Sequence, residues 1–182
     1  QTVNKIEKID RLKEFIHPYN QWGKFLESAT DVDYKLVVSN STEAGLCYDK
    51  TDSYEKCPDS FPAKLYIWLK TRFEAQLPGL LIMAFELIPD NGSQLKEFVL
   101  QHAKDDSASG DFIKWLKNEC TFINTLVDRI VSKVPSESIA ELKKQWSIED
   151  ELLLCAEPYH LLALDSDELE DILPFQKAGL NI

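Results

Sequence analysis

The clearest periodicities in the chain are helical. In "SFPAKLYIWLKTRFEA", Leu65, Trp68, Leu69 and Phe73 recur at three-to-four spacing, Ser60 can cap the segment and Pro62 sits in its first turn. "SQLKEFVLQHAKD" sets Leu95, Phe98, Val99, His102 and Ala103 on one stripe. "DFIKWLKNECTFINTLV" reads as one further helix, built on Phe112, Trp115 and Leu116. Shorter helices are expected in "NQWGKFLESA", with Trp22, Phe25 and Leu26 on one face, and in "ELEDILPF". "SIAELKKQW" opens with Ser138 and Glu141, a capping-box pair.

Between these lie strand patterns. "YKLVV" is a short apolar run, and "GLLIMAFELI" is a continuous one, the mark of a strand covered on both faces in a parallel sheet. "PDNG" then makes a turn. "TVNKIEKID" alternates as a partly exposed strand, and "AGLNI" begins another apolar element. In "ELLLCAEPYHLLALD" the second half reads as strand, because Pro158 blocks a helix through it. Strands alternating with helices predict an α/β fold: a mostly parallel sheet with helices on both faces, in a single domain over residues 1–182. The first residues already read as strand and the last are apolar, so part of a longer domain is expected.

Composition narrows this picture. The 182 residues suffice for one good core. A net charge of −11, spread along the chain, argues against nucleic acid as a partner. No apolar run reaches the roughly 20 residues that span a bilayer, and the charged opening "QTVNKIEKIDR" is no signal peptide. Cys47, Cys57, Cys120 and Cys155 form no C-x-x-C pair, which suggests reduced thiols in a cytoplasmic protein, although Cys47 and Cys57 flank a polar loop and could meet if oxidised. Without a secretory signal, the sequons at Asn40 and Asn91 read as chance matches.

Ligands of open parallel sheets sit beyond the carboxyl ends of the strands. Past "YKLVV" come Ser39, Asn40, Ser41, Thr42 and Glu43, and past "GLLIMAF" come Glu86 and Asp90-Asn91-Gly92. Asn40 with Glu43 could equally be a helix cap, and Asp90-Asn91-Gly92 a plain turn. Asp128 and Arg129 interrupt the apolar "TLVDRIV" and must find partners or water, as a structural ion pair or beside a cofactor. Glu157-Pro158-Tyr159-His160 is a further polar cluster, in which a lone His is more often structural than catalytic. The six glycines form neither a G-x-G-x-x-G turn nor a P-loop.

"SNSTEAGL" resembles the S-N-T-T-E-A-G-I signature of the tagaturonate reductases (altronate oxidoreductases) of the mannitol dehydrogenase family. "QTVNKIEKIDR", "SFPAKLYIWLKTRF", "ELIPDNGSQLKEFVL", "TFINTLVDRIV", "EPYHL" and "LPFQKAGLNI" resemble family segments in the same order. The resemblance implies a zinc-free hydride transfer between NAD and a sugar acid such as tagaturonate or altronate. It also implies an N-terminal Rossmann-type domain, of which this chain would be the middle and end, and a C-terminal helical domain as its partner. The family's glycine-rich turn would lie upstream, and its catalytic lysine on the helical domain, so no catalytic residue is expected here. By the same resemblance Ser39, Asn40, Ser41 and Thr42 would line the ribose and nicotinamide end of the cofactor, their backbone and hydroxyl groups pointing into the cleft. Val127 and Asp128 would lie near the nicotinamide, with Asp128 organising the substrate pocket. Glu86 and Asn91 would border the cleft, and Glu157 and His160 would face the helical domain or the sugar acid.

The chain departs from the family pattern in places. Ser41 stands for Thr, Ala84-Phe85 for Pro-Cys, and Leu162 for an aromatic residue. Leu87 stands where polyol-specific relatives carry Asn, which favours the sugar-acid branch. Two rival readings remain: a mannitol-type polyol dehydrogenase, and a non-enzymatic α/β interaction module.

Overall fold

The apolar run "GLLIMAF" becomes β2 (Leu81–Ala84), the middle strand of a three-stranded parallel sheet. This computed structural model describes residues 12–147, 149–166, 169, 173 and 177. β1 (Leu36–Ser39) runs beside β2 with Leu36 opposite Leu81 and Ser39 opposite Ala84. β3 (Thr121–Ile123) flanks the other side, with Thr121 opposite Leu81. Every residue of β2 is buried, which is why its sequence lacks polar alternation.

The alternation of side chains divides the core into two layers. Ile82 and Ala84 pack into a cluster with residues of α2 (Phe61–Glu74), α3 (Asn91–Asp105) and α4 (Gly110–Glu119), joined by Trp22, Phe25 and Leu26 of α1 (Trp22–Ser28). Leu81 and Met83 face the other way, against Ile123, Leu169, Leu164 and Leu173. Of the caps that the sequence predicts, the one at Ser60 forms, and Ser109 supplies one that the pattern does not mark. Ser60 accepts a hydrogen bond from the Ala63 amide at 3.2 Å, and Ser109 accepts one from Phe112 at 3.1 Å to open α4.

The helix expected to run through "DFIKWLKNECTFINTLV" instead stops at Glu119. Cys120 is extended, at φ −99° and ψ 123°, and the chain continues into β3 and then β4 (Thr125–Asp128). The β-branched and aromatic residues of "TFINTLV" favour strand, and the backbone groups of β2 give them something to pair with. Gly79 permits the close approach at the opposite end of this pairing, since a Cβ there would lie 2.0 Å from the Glu119 carbonyl oxygen.

The described residues fall into two compact units, one of residues 16–126 with those described beyond 161, the other of residues 12–15 with those described in 127–161. In the second, β5 (Val131–Lys133) pairs antiparallel with β6 (Leu154–Ala156), with α5 (Ser136–Trp146) between them in sequence. Strand β6 falls in the half of "ELLLCAEPYHLLALD" that carried no expectation. The Ser138–Glu141 capping box does not form: Ser138 already lies inside α5, whose N-cap is Pro135 and makes no side-chain cap. The strand expected after Pro158 is β7 (Leu161–Leu164), which pairs with β4. The expectations for "TVNKIEKID" and "AGLNI", and for "ELEDILPF" apart from Leu169 and Leu173, fall outside the described residues.

No described helix is long and apolar enough to cross a membrane. Cys47, Cys57, Cys120 and Cys155 are all free thiols.

Candidate functional site

The carboxyl ends of β1 and β2 open onto a recess of about 440 Å³, lined by Asn40, Ser41, Thr42, Glu43, Ala44, Phe85 and Leu87. β1 ends at Ser39, and its ladder closes with the Phe85 amide donating to the Ser39 carbonyl at 2.9 Å. The chain then leaves the sheet and makes a single 3₁₀ turn over Glu43–Gly45. Asn40 is exposed and caps nothing; the N-cap of that turn is Thr42, with no side-chain bond. The helix-cap alternative for Asn40 and Glu43 is therefore not what the chain adopts.

Glu86 is the organising residue of this rim. It is 2% exposed, and its carboxylate accepts from the Ser39 hydroxyl at 2.9 Å, the Ser41 amide at 2.9 Å and the Ser41 hydroxyl at 3.0 Å. A buried carboxylate without such donors would be costly, and these satisfy both of its oxygens. The hydroxyls of Ser39 and Ser41 were expected to point into the cleft. They turn inward onto Glu86 instead, and Ser39 is itself buried at 3% exposure. What remains on the wall of the recess is Asn40, Thr42 and the outer side of Ser41.

Glu86 also borders a second recess of about 390 Å³, formed with Leu87, Ile88, Pro89, Asp90, Thr125 and Leu126. Asn91 lines neither recess. It is 1% exposed, and its side-chain amide donates to the carbonyls of Glu86 at 2.9 Å and Thr125 at 3.0 Å. Its Oδ1 accepts from the amides of Gly92 at 2.8 Å and Thr125 at 2.9 Å. Asn91 is thus a buried strut beneath the rim, and its sequon is inaccessible to modification. Gly92 is needed beside it, because a Cβ would lie 2.3 Å from the Ile123 carbonyl oxygen. Asp90 adopts the left-handed conformation at φ 51°, so "PDNG" is a turn leading directly into α3.

Val127, Asp128, Glu157 and His160 belong to the other compact unit. Val127 is half-buried and Asp128 exposed. Arg129 does not pair with its neighbour Asp128 but donates from Nε to the Glu157 carbonyl at 3.1 Å. The Glu157 carboxylate accepts from the Ile130 amide at 2.9 Å, and its own amide donates to the Ile130 carbonyl at 3.2 Å. Glu157 therefore fastens β6 to the end of β5. His160 is exposed, with Nδ1 3.2 Å from the Pro158 carbonyl oxygen. The structure brings Ser39, Ser41, Glu86 and Asn91 into one hydrogen-bonded group. It adds Thr125, whose hydroxyl donates to the Ala84 carbonyl at 2.6 Å. Sequence reasoning had passed over Thr125, having placed it inside a helix.

The donor set of the first recess bears on what it can hold. Asn40 and Thr42 offer an amide and a hydroxyl, Phe85 and Leu87 an apolar wall, and Glu43 a negative charge. Such a wall suits the sugar and carboxamide groups of a nucleotide. It does not suit a pyrophosphate, which would want a cation or a helix N-terminus.

The profile of one family, the mannitol dehydrogenase Rossmann domain, matches residues 1–174. The chain is 40% identical to an altronate oxidoreductase of Halalkalibacterium halodurans over its full length, covering 37% of that protein. It is 35% identical to an altronate oxidoreductase of Phocaeicola vulgatus, again over its full length, covering 39% of that protein. The chain therefore spans well under half the length of these relatives. Among solved structures, a D-sorbitol dehydrogenase in substrate-free form superposes with a TM-score of 0.71 at 24% identity, over 89% of this chain and 36% of that one. A Pseudomonas fluorescens mannitol 2-dehydrogenase, in ternary complex with NAD and D-mannitol, gives 0.67 at 20% identity over 81% of this chain and 32% of that one.

Proposed function

The chain belongs to the mannitol dehydrogenase Rossmann domain family, and from that premise we propose that it is the nucleotide-binding part of an NAD-dependent oxidoreductase interconverting tagaturonate and altronate. The observation that carries this reading is the recess beyond β1 and β2, where a polar wall meets the carboxyl end of a parallel sheet. Full-length coverage by relatives named altronate oxidoreductase supports the sugar-acid substrate. So does Leu87, 61% exposed on the rim, which offers no amide to a polyol.

In this reading Asn40 and Thr42 hold the ribose and nicotinamide end of NAD, with Ser41 between them anchoring the loop, and NAD supplies the hydride acceptor when bound. Phe85 and Leu87 give the ring an apolar surface and exclude water from it. The resemblance assigns Val127 and Asp128 to the nicotinamide end, and Glu157 and His160 to the helical domain or the sugar acid. Proton transfer from the substrate hydroxyl is left to the lysine that the family carries on its helical domain. The chain alone binds and orients, and does not turn over.

Two measurements test this. Steady-state assays of the full-length parent with tagaturonate, fructuronate and fructose are expected to rank tagaturonate first; a preference for fructose would transfer the reading to a polyol dehydrogenase. Altronate-dependent NADH production by the purified 182-residue chain would overturn its assignment as a binding part.

A further inference from the structure

We propose that Glu86 is a positioning residue for the nucleotide loop: it fixes residues 39–42 in their binding conformation through hydrogen bonding and does not itself touch cofactor or substrate. This rests on the reading above and goes beyond it, because the resemblance had placed Glu86 on the border of the substrate cleft.

The geometry is specific. Loop 39–42 has no regular structure beyond β1, and its tether to β2 through side chains runs through one carboxylate. Glu86 Oε2 takes the Ser39 hydroxyl, while Oε1 takes both the amide and the hydroxyl of Ser41. Asn40, exposed between them, is thereby held with its side chain on the recess wall. Glu86 is in turn held from behind. Asn91 donates to its backbone carbonyl at 2.9 Å, and Asn91 is locked to Thr125 by two further bonds. The sequence "ELIPDNG" thus works as a unit: its acid holds the loop of the neighbouring strand and its Asn holds the acid.

The arrangement separates a hydrogen-bonding role from a charge role. In Glu86→Gln the amide oxygen can accept both Ser41 donors, and the NH₂ can donate to the Ser39 oxygen after the hydroxyl proton rotates. In Glu86→Ala all three contacts are lost. A group acting by its negative charge, or as an acid or base, would be lost in both variants.

The test uses the full-length parent enzyme, with NADH titrated by fluorescence and steady-state constants measured for both substrates. Glu86→Ala is expected to weaken NADH binding by about tenfold or more, given that hydrogen bonds to a charged group are at stake. The KM for NADH should rise further than the KM for tagaturonate, and Glu86→Gln should stay within about threefold of wild type. Should Glu86→Ala fail to fold, the double variant Ser39→Ala/Ser41→Ala removes both hydroxyl donors and is expected to raise the NADH KM in the same selective way. Wild-type NADH affinity in Glu86→Ala, or in the double variant, overturns the inference and leaves the nucleotide-binding reading intact. Equal loss of turnover in Glu86→Gln and Glu86→Ala overturns it too, in favour of a charged role. Failure of the wild-type parent to bind NADH would instead sink the functional reading itself.

Discussion

Asn91 and Thr125 exchange two hydrogen bonds in the manner of paired strands: the Asn91 amide donates to the Thr125 carbonyl at 3.0 Å, and the Thr125 amide donates back to Asn91 Oδ1 at 2.9 Å. A side chain at the start of α3 thus substitutes for a strand backbone where β3 passes into β4. The same amide group also holds the Glu86 carbonyl.

Asn91→Asp tests that description. The change keeps size and acceptor capacity but removes both N–H donors, and it sets a carboxylate against two carbonyl oxygens. A loss of about 2–4 kcal/mol is expected from buried groups left unpaired, read as a lower urea midpoint at unchanged slope. A substrate contact at Asn91 would instead raise a KM and leave the midpoint alone.

Arg72 is expected to be the costliest single side chain to remove. It is fully buried and has no carboxylate partner among the described residues; it donates to the carbonyls of Pro78 at 2.8 Å, Ala29 at 3.2 Å, Asp31 at 3.0 Å and Tyr34 at 3.2 Å. Burial lowers its pKa from the ordinary value, yet an arginine remains charged at neutral pH. The guanidinium therefore gathers the α1–β1 connection and the α2–β2 turn around one cation. Arg72→Met should cost about 3–5 kcal/mol by stranding those carbonyls. Arg72→Lys should recover only part of that, because a point ammonium cannot reproduce the planar fork. Near-wild-type stability in Arg72→Lys would mean that charge alone suffices.

Much of this was legible beforehand. The period of "AKLYIWLKTRF" and the unbroken run "LLIMA" gave α2 and β2, because in each the local preference and the burial agree. "TFINTLV" misled because its apolar residues continue the spacing of Phe112, Trp115 and Leu116. What turns its first part into strand is the edge of β2, a partner 40 residues away in sequence at Leu81–Thr121, while the rest pairs with β7. The rim residues Ser39, Ser41 and Glu86 could be named from their places after the strands. That the two serines turn inward, because a buried carboxylate must be satisfied, depends on a contact 45 residues apart between Ser41 and Glu86, which no local pattern records.

The thiols offer a check on burial. Cys120 is 3% exposed, and desolvation pushes its thiol up to about 11. Burial also raises Cys57, while Cys47 and Cys155 are exposed. Since the thiolate is the reactive species, a disulfide-exchange reagent at pH 8 should label Cys47 and Cys155 first and Cys57 more slowly. Cys120 should react only at the rate of unfolding. Mass mapping of labelled peptides over time provides the order, and early labelling of Cys120 would contradict its place in the core between α4 and β3.

His102 makes stability depend on pH. It is fully buried on α3; its Nδ1 lies 3.0 Å from the Tyr54 hydroxyl, and the Tyr48 ring centroid is 4.9 Å away. Burial holds its pKa below the ordinary histidine value, and this outweighs the opposing pull of the Asp52, Asp105 and Asp49 carboxylates. The native state therefore favours neutral imidazole, while the unfolded chain takes up a proton near pH 6.5. Between the depressed folded pKa and that value the unfolded state binds more protons, so stability rises with pH across the window and falls as the medium is acidified through it. Above about pH 7 the contribution is flat. His102→Gln cannot titrate and should lose this slope, whatever its effect on the midpoint at neutral pH. Urea midpoints measured at half-unit steps from pH 5 to 8 make the comparison. An unchanged slope in His102→Gln would assign the acid sensitivity to the surrounding carboxylates instead.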